Sequence, residues 1–373
     1  MSRNKTAWIV MILSACVVAT AYAAYLEGDE PKEEAPVRIV PPPPRPIPAN
    51  PLTEMVGRLT VREGYHYRGL TVFLVELARI SDDRPYLSTQ EALARDVLVV
   101  QEKGGGTVPR LIVENQAKEP VLMLGGEVLL GGKQNRILRE DVLLPARSGP
   151  VEVTVLCIEQ GRWSGKGVAF DRAASVAPSA VRSAVQAGKA QEEVWQGVTA
   201  YHEAFRVESG TRDLQAVQDS PEVQKTLKEY REQFAEHCWR PEAVGMVVAR
   251  YGGIVGADIF CNAAVFQKHR DRLLESYAID HIAHPIIDQW EKRLSRDDAQ
   301  QFLRRVVRAE FTWRGSPGEG RLLTAKGAGL DGTALVYRDN VLHACLMAAE
   351  AEVIIRRPLR PVPLPRPQPI PEE

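Results

Sequence analysis

The sequence predicts an α+β domain, strand-rich in its N-terminal half, helical in its middle and closed by a β-hairpin. Three observations predict it. Short apolar runs bounded by glycine, proline or polar residues fill the first half of the chain, apolar residues at helical spacing take over near Pro178, and two apolar segments bracketing a turn, Thr333–Tyr337 and Val341–Met347, end the pattern. Strands on either side of a helical stretch within one unit belong to α+β architecture, and the lack of a βαβ alternation argues against a doubly wound nucleotide-binding fold.

The elements follow in order. Arg3 and Lys5 precede an uncharged run from Ala7 to Leu26, long enough, at about 20 residues, to span a bilayer as a helix. Its basic flank stays cytoplasmic and the acidic stretch Glu27 to Glu34 is translocated. Three readings of residues 1–26 stay open: a signal anchor that uses the whole run, a signal peptide cut after Ala21-Tyr22-Ala23, and a lipoprotein signal at Leu13-Ser14-Ala15-Cys16. Each predicts the cell envelope, with the module membrane-anchored outside the cytoplasm, or periplasmic or secreted after cleavage. Residues 27–51 contain Pro41-Pro42-Pro43-Pro44-Arg45-Pro46 and read as a polyproline II spacer; residues 356–373 form a second proline-rich segment and read as a disordered tail.

Residues 52–355 are the globular domain. Within its strand-rich part, 52–165, the runs Leu70–Leu77, Val97–Gln101, Arg110–Val113 and Val121–Leu124 predict strands, and Val151–Cys157 alternates with the period of a half-buried strand. One short helix interrupts, with Ser88 as N-cap and Glu91 closing a capping box. In the mainly helical part, 178–305, Val194, Val198, Tyr201 and Phe205 form one apolar stripe, and Ser220-Pro221 opens another helix. Tyr251-Gly252-Gly253 predicts a hairpin near 246–260, followed by helices over Val265–Ile282 and from Ser295. Strands return over 307–347, closing around Arg338-Asp339-Asn340.

Formal net charge is −1, from 47 basic and 48 acidic residues. Such a balance gives no global field to hold nucleic acid, so partners are sought in local features: the membrane through the N-terminal segment, and a small anionic ligand or a protein at the domain. Of the five cysteines, Cys16 lies in the N-terminal run; Cys157, Cys238, Cys261 and Cys345 form no CxxC pair, and two readings stay open for them, four buried thiols, which is favoured, or up to two disulfides in an oxidising compartment.

Two segments concentrate unusual residues. Glu114-Asn115-Gln116 leads to Gly125-Gly126-Glu127-Val128-Leu129-Leu130-Gly131-Gly132-Lys133-Gln134-Asn135-Arg136, where donors follow a glycine pair. Asn115, Gln134, Asn135 and Arg136 are therefore candidates to hold an anion. Cys157-Ile158-Glu159-Gln160-Gly161-Arg162-Trp163 follows a strand; Arg162 offers a guanidinium and Trp163 a stacking face. Glu127 and Glu159 are the candidate acid–base carboxylates. The architectural reading stands beside this one: glycine turns with polar ends are common, and their amides often satisfy backbone groups. The spacings of a P-loop and of a GxGxxG fingerprint are absent, no HExxH follows His202-Glu203, and His281 with His284 lacks a third ligand, so no cofactor is assigned and no metal site is expected. His343 alternates with apolar neighbours and reads as a packed or surface histidine.

The runs GGEVLLGGKQNRIL, DVLLP and LCIEQGRW, with VGMVVARYGGIVGADIF, LLESYAIDHI and GTALVYRDNVLHACLM further on, resemble a bacterial and archaeal family of unassigned activity, the ARG (ADP-ribosylglycohydrolase) and rhodanese-phosphatase-superfamily-associated protein domain. The resemblance covers roughly Leu52 to Met347. It implies a link to ADP-ribose or nucleotide metabolism and supplies no catalytic residues. Three functions follow: an exported binding or interaction module with an anion or nucleotide-like ligand, a hydrolase acting on a phosphate- or glycosyl-containing substrate, and a structural or assembly protein.

Overall fold

The structure of the protein is a computed structural model. The chain divides after Pro46 into two units. The residues described all lie in the second unit: 49–349, apart from 81, 104–108, 162–168, 171 and 284–292, and without the side chains of 172–174. The N-terminal segment 1–26, the spacer up to residue 48, the tail 356–373, and the candidates Arg162, Trp163 and His284 lie outside the described residues.

The last residues of the proline-rich stretch belong to the fold. Asn50 accepts hydrogen bonds from the amides of Leu52 and Thr53 and caps helix α1, Pro51–Gly57, with Pro51 in its first turn. The sequence predicts one helix in the strand-rich part, and the structure holds two, this one being the addition. The other, α2 (Thr89–Ala94), has the expected capping box between Ser88 and Glu91.

Strands β1 (Leu59–Tyr67) and β2 (Leu70–Leu77) open an eight-stranded antiparallel sheet. It is completed by β12 (Gly245–Arg250), β13 (Gly253–Phe260), β14 (Glu310–Gly315), β15 (Arg321–Gly327), β16 (Leu330–Tyr337) and β17 (Asn340–Ala348), in the order β1-β2-β12-β13-β17-β16-β15-β14. Both expected hairpins, β12–β13 and β16–β17, are central to it. A six-stranded sheet has the order β11-β7-β8-β10-β5-β4, from β4 (Leu98–Glu102), β5 (Arg110–Asn115), β7 (Glu127–Leu130), β8 (Arg136–Leu138), β10 (Val151–Cys157) and β11 (Arg172–Val176). Three short strands, β3 (Leu87–Ser88), β6 (Val121–Met123) and β9 (Val142–Leu144), form a third sheet.

The period of two divides the large sheet between two cores. Leu70, Val72 and Leu74 of β2 face one, Phe73 and Val75 the other. The second core is covered by α1 and by α8 (Arg296–Arg304), whose N-cap is the expected Ser295. The first and larger core is shared with α3 (Ser179–Gln186), α4 (Gln191–Phe205), α5 (Leu214–Gln218), α6 (Pro221–His237) and α7 (Ala263–Ala283). On α4 the buried face carries Val194, Val198, Tyr201 and His202, while Phe205 is only half-buried. Cys157, Cys238, Cys261 and Cys345 are free and buried, as expected.

Two facts of register position the ionisable residues. Asp258 of β13 lies opposite Cys345 of β17, and Phe260 lies opposite His343; all face the larger core. Helix α7 follows β13 directly and buries a polar stripe, His269, Arg272, Ser276 and Asp280, at helical spacing across that face.

Candidate functional site

The glycine-rich segment is where these elements meet. Gly125 donates its amide to Asp141 Oδ1 at 2.8 Å. Gly126 has φ +93°, and a Cβ there would stand 2.6 Å from both Cγ and Cδ of Arg182. Only glycine meets both demands, the left-handed backbone and the close approach of a buried arginine. Glu127 then opens β7, completely buried.

Glu127 Oε2 accepts from the hydroxyl of Thr89 and from the amide of Leu124 at 3.1 Å. Its Oε1 lies 3.0 Å from Arg272 Nη2 and 4.0 Å from His269 Nδ1, without a hydrogen bond to either. The ring of His269 stacks on Phe260 with centroids 5.3 Å apart. Arg272 Nη2 stands 3.4 Å from Nδ1; a guanidinium can only donate, so Nδ1 is the bare nitrogen and the proton is on Nε2. Burial, with Arg272 beside it, holds His269 well below the usual histidine range, so the ring is neutral.

Four buried polar atoms of this centre have no hydrogen-bond partner among the described residues: Glu127 Oε1, His269 Nε2, and Nε and Nη1 of Arg272. Buried polar groups are satisfied in the great majority of cases, so their concentration on three touching side chains marks this place. Arg272 keeps 10% of its side-chain surface exposed and is the member that reaches solvent.

Beside it lies a second buried group in which every charge is paired. Arg182 presents Nη1 and Nη2 to Asp258 at 2.9 and 3.2 Å, and the Tyr277 hydroxyl donates to Asp258 Oδ2 at 2.7 Å. His343 bridges Asp141 and Asp258, with Nδ1 2.8 Å from one carboxylate and Nε2 3.2 Å from the other. Burial pushes the His343 ring down, but Asp141 and then Asp258 outweigh it and hold it up at about 9. Burial likewise pushes Asp258 up, and Arg182 with His343 holds it well below the carboxylate range. Two carboxylates, one guanidinium and one imidazolium make this group neutral.

The other sequence candidates are placed as follows. Gln134, Asn135, Arg136 and Glu159 come together. Gln134 Nε2 donates to the Glu159 carbonyl at 2.9 Å, and the Asn135 amide donates to Glu159 Oε2 at 3.1 Å. Asn135 Nδ2 donates to Asp213 Oδ2 at 2.9 Å. Arg136 is buried, donates to Gln134 Oε1 at 3.1 Å and to Cys157 Sγ, and lies 3.7 Å from Glu102. Burial raises the Cys157 thiol against the opposing effect of Arg136, so this cysteine is not an activated nucleophile. Asn115 stands apart from them: its amide donates to the carbonyls of Glu119 and Pro145 and its oxygen accepts from Ala117, which ties two loops together.

The Gln134–Glu159 group supports the loop after α4. Thr211 O accepts from the amides of Gln160 and Gly161 at 2.9 and 3.1 Å. That loop, with Thr199, His202 and Glu203, lines an open hollow of about 600 Å³. Arg206 and Arg212 stand there with φ +54° and +48°, and Arg212 reaches Gln160 at 3.4 Å.

Of the Glu127 centre, the sequence reading found only the glutamate. His269 and Arg272 lie on the helix predicted over Val265–Ile282, for which the sequence singled out no polar residue; the available signal was the demand that α7, following a central strand, be buried on more than one side. His281, the described member of the pair His281 and His284, lies tilted against Tyr251 with ring centroids 4.8 Å apart and is held down at about 4 by burial and by Arg250. No group of three or more potential metal ligands occurs among the described residues, and no helix among them is long and apolar enough to cross a membrane.

The family model of the ARG and Rhodanese-Phosphatase-superfamily-associated Protein domain matches residues 58–347. No curated protein and no solved structure gives a match.

Proposed function

We propose that this chain, which belongs to the ARG and Rhodanese-Phosphatase-superfamily-associated Protein domain family, is a binding module that takes a small oxyanion-bearing ligand on Glu127, His269 and Arg272. One observation carries this reading: three of the four unpartnered atoms of the centre are N–H donors, Nε2 of His269 and Nε and Nη1 of Arg272. Surplus donors around a buried guanidinium fit a phosphate or carboxylate group, which offers acceptors on several sides. Buried ionic groups stabilise a fold less well than apolar packing of the same volume, so an incompletely satisfied set supports a role other than stability. Glu127 balances the charge of Arg272 and orients it. The basic flank and apolar run at the N-terminus support placing the module outside the cytoplasm.

The test is the unfolding temperature of the detergent-solubilised full chain in rising inorganic phosphate, with acetate as the carboxylate arm. A ligand at 100 times its dissociation constant adds about 2.7 kcal/mol. The reading predicts a saturating rise in the wild type and none in Arg272→Gln. An equal rise in both proteins refutes it.

A second reading rests on the hollow beside Gln160. Among the described residues, the Arg206 guanidinium has no hydrogen bond or ion pair, and its left-handed backbone is strained. It would serve a larger phosphorylated ligand. A phosphate response lost in Arg206→Ala and kept in Arg272→Gln would favour it.

A further inference from the structure

The ring of His269 has an unmet partner on each side. Nε2 carries a proton and has no acceptor; Nδ1 carries none and lies 4.0 Å from Glu127 Oε1, which is ion-paired with Arg272 Nη2 at 3.0 Å but makes no hydrogen bond. The neutral ring cannot serve both, because one of its nitrogens is always bare. Only the imidazolium donates on both sides, to Glu127 through Nδ1 and to a ligand through Nε2. Arg272 Nη2, 3.4 Å from Nδ1, must then turn away from the ring, and an oxyanion beside the guanidinium gives it an acceptor.

The charge count leads to the same place. Glu127 and Arg272 cancel and His269 is neutral, so an oxyanion entering this buried centre brings one uncompensated negative charge. Such a charge is expensive in a low-dielectric interior unless it is paired. The charged groups that face His269 are Lys268 and Arg272 from its own helix, Glu127 from β7, His343 from β17 and Asp258 from β13. Lys268 is already directed to Glu91 and the Tyr86 carbonyl, each at 2.8 Å. His343 and Asp258 belong to the neutral group described above. Among these groups, His269 is the one that can gain a charge to match the ligand.

We propose that the oxyanion and a proton enter this centre together, the proton being held by His269, so that the module takes up its ligand in effect as an acid. The proposal rests on the binding reading of Glu127, His269 and Arg272. The balance is simple: neutral imidazole, one proton from solvent and the anion give an imidazolium–anion pair, with no bond broken. Burial and Arg272 keep the ring neutral before the anion arrives, and the anion's own charge reverses that preference.

The test uses sulfate, which does not titrate near neutral pH, as the probe. Calorimetric titration of the full chain at one pH in two buffers of different ionisation enthalpy reads the protons taken up per sulfate bound. We expect close to one, with affinity falling about tenfold per pH unit above neutrality. His269→Gln should bind sulfate more weakly, with no proton uptake and no pH dependence. Binding without proton uptake in the wild type overturns the proposal and leaves the binding reading intact, as does proton uptake that persists in His269→Gln. No binding heat at any pH overturns both. Even if the variant does not fold, sulfate binding without proton uptake in the wild type overturns the proposal.

Discussion

His269 and His343 stack on the same phenyl ring, that of Phe260, at centroid distances of 5.3 and 4.5 Å, and are held in opposite protonation states. The difference lies in their partners. His343 faces two carboxylates and is held up at about 9; His269 is buried beside a guanidinium and is held well below its usual value.

This pair bounds the pH range of the fold. The His343 ring titrates higher in the folded chain than in the unfolded one, where histidine lies near 6.5. Its contribution, on the order of 3 kcal/mol, is therefore whole below pH 6.5 and fades as pH rises to about 9. His269 is shifted down, so its neutral state favours folding above pH 6.5 and the benefit is lost as pH falls below it. Asp258, also shifted down, adds to the loss in stronger acid. Urea midpoints should peak near neutrality and fall on both sides; His343→Phe should remove the alkaline fall and, because His343 helps to hold Asp258 down, should change the acid side as well. A midpoint still rising at pH 9 would contradict this assignment.

Gly126→Ala places a methyl against Cγ and Cδ of a buried, ion-paired Arg182 at a left-handed backbone position. A loss of about 2–4 kcal/mol is expected by denaturant unfolding. Gly149→Ala, where nothing lies within 4 Å, should stay within about 0.5 kcal/mol of wild type.

The Arg182–Asp258 pair calls for a double-mutant cycle. Arg182→Met or Asp258→Val alone leaves a charge buried without its partner and should cost about 3–5 kcal/mol. The double variant should cost clearly less than the sum. Additive losses would mean that the two side chains do not act as a pair.

The four buried cysteines should be silent to a thiol reagent in the native chain. Burial raises Cys238 and Cys261 to about 12, so neither supplies thiolate near neutral pH. Denaturation should release Cys157, Cys238, Cys261 and Cys345 together. Fewer than four newly reactive thiols, restored by reductant, would reveal a disulfide.

The sequence was most legible where a local rule acts. The Ser88–Glu91 capping box, Ser220-Pro221 and the two central hairpins stand where turn and cap chemistry put them. Helix α1 carried the same kind of signal, Asn50 before Pro51, but it was masked by the proline-rich stretch it ends. Glu127 was visible as an acid within an apolar run. Its partners were not, because Thr89, His269 and Arg272 come from two helices distant in sequence and reach it only through tertiary packing. For the same reason Gln134 and Arg136, which read as free donors, turn out to be joined to each other and to Glu159 and Cys157.

The most direct measurement is anomalous diffraction from crystals of the full chain grown with selenate, a tetrahedral oxyanion. The account predicts a selenium peak at this centre, with selenate oxygens within hydrogen-bond reach of His269 Nε2 and Arg272 Nη1. Peaks confined to surface arginines, Arg206 among them, with none at this centre would contradict it.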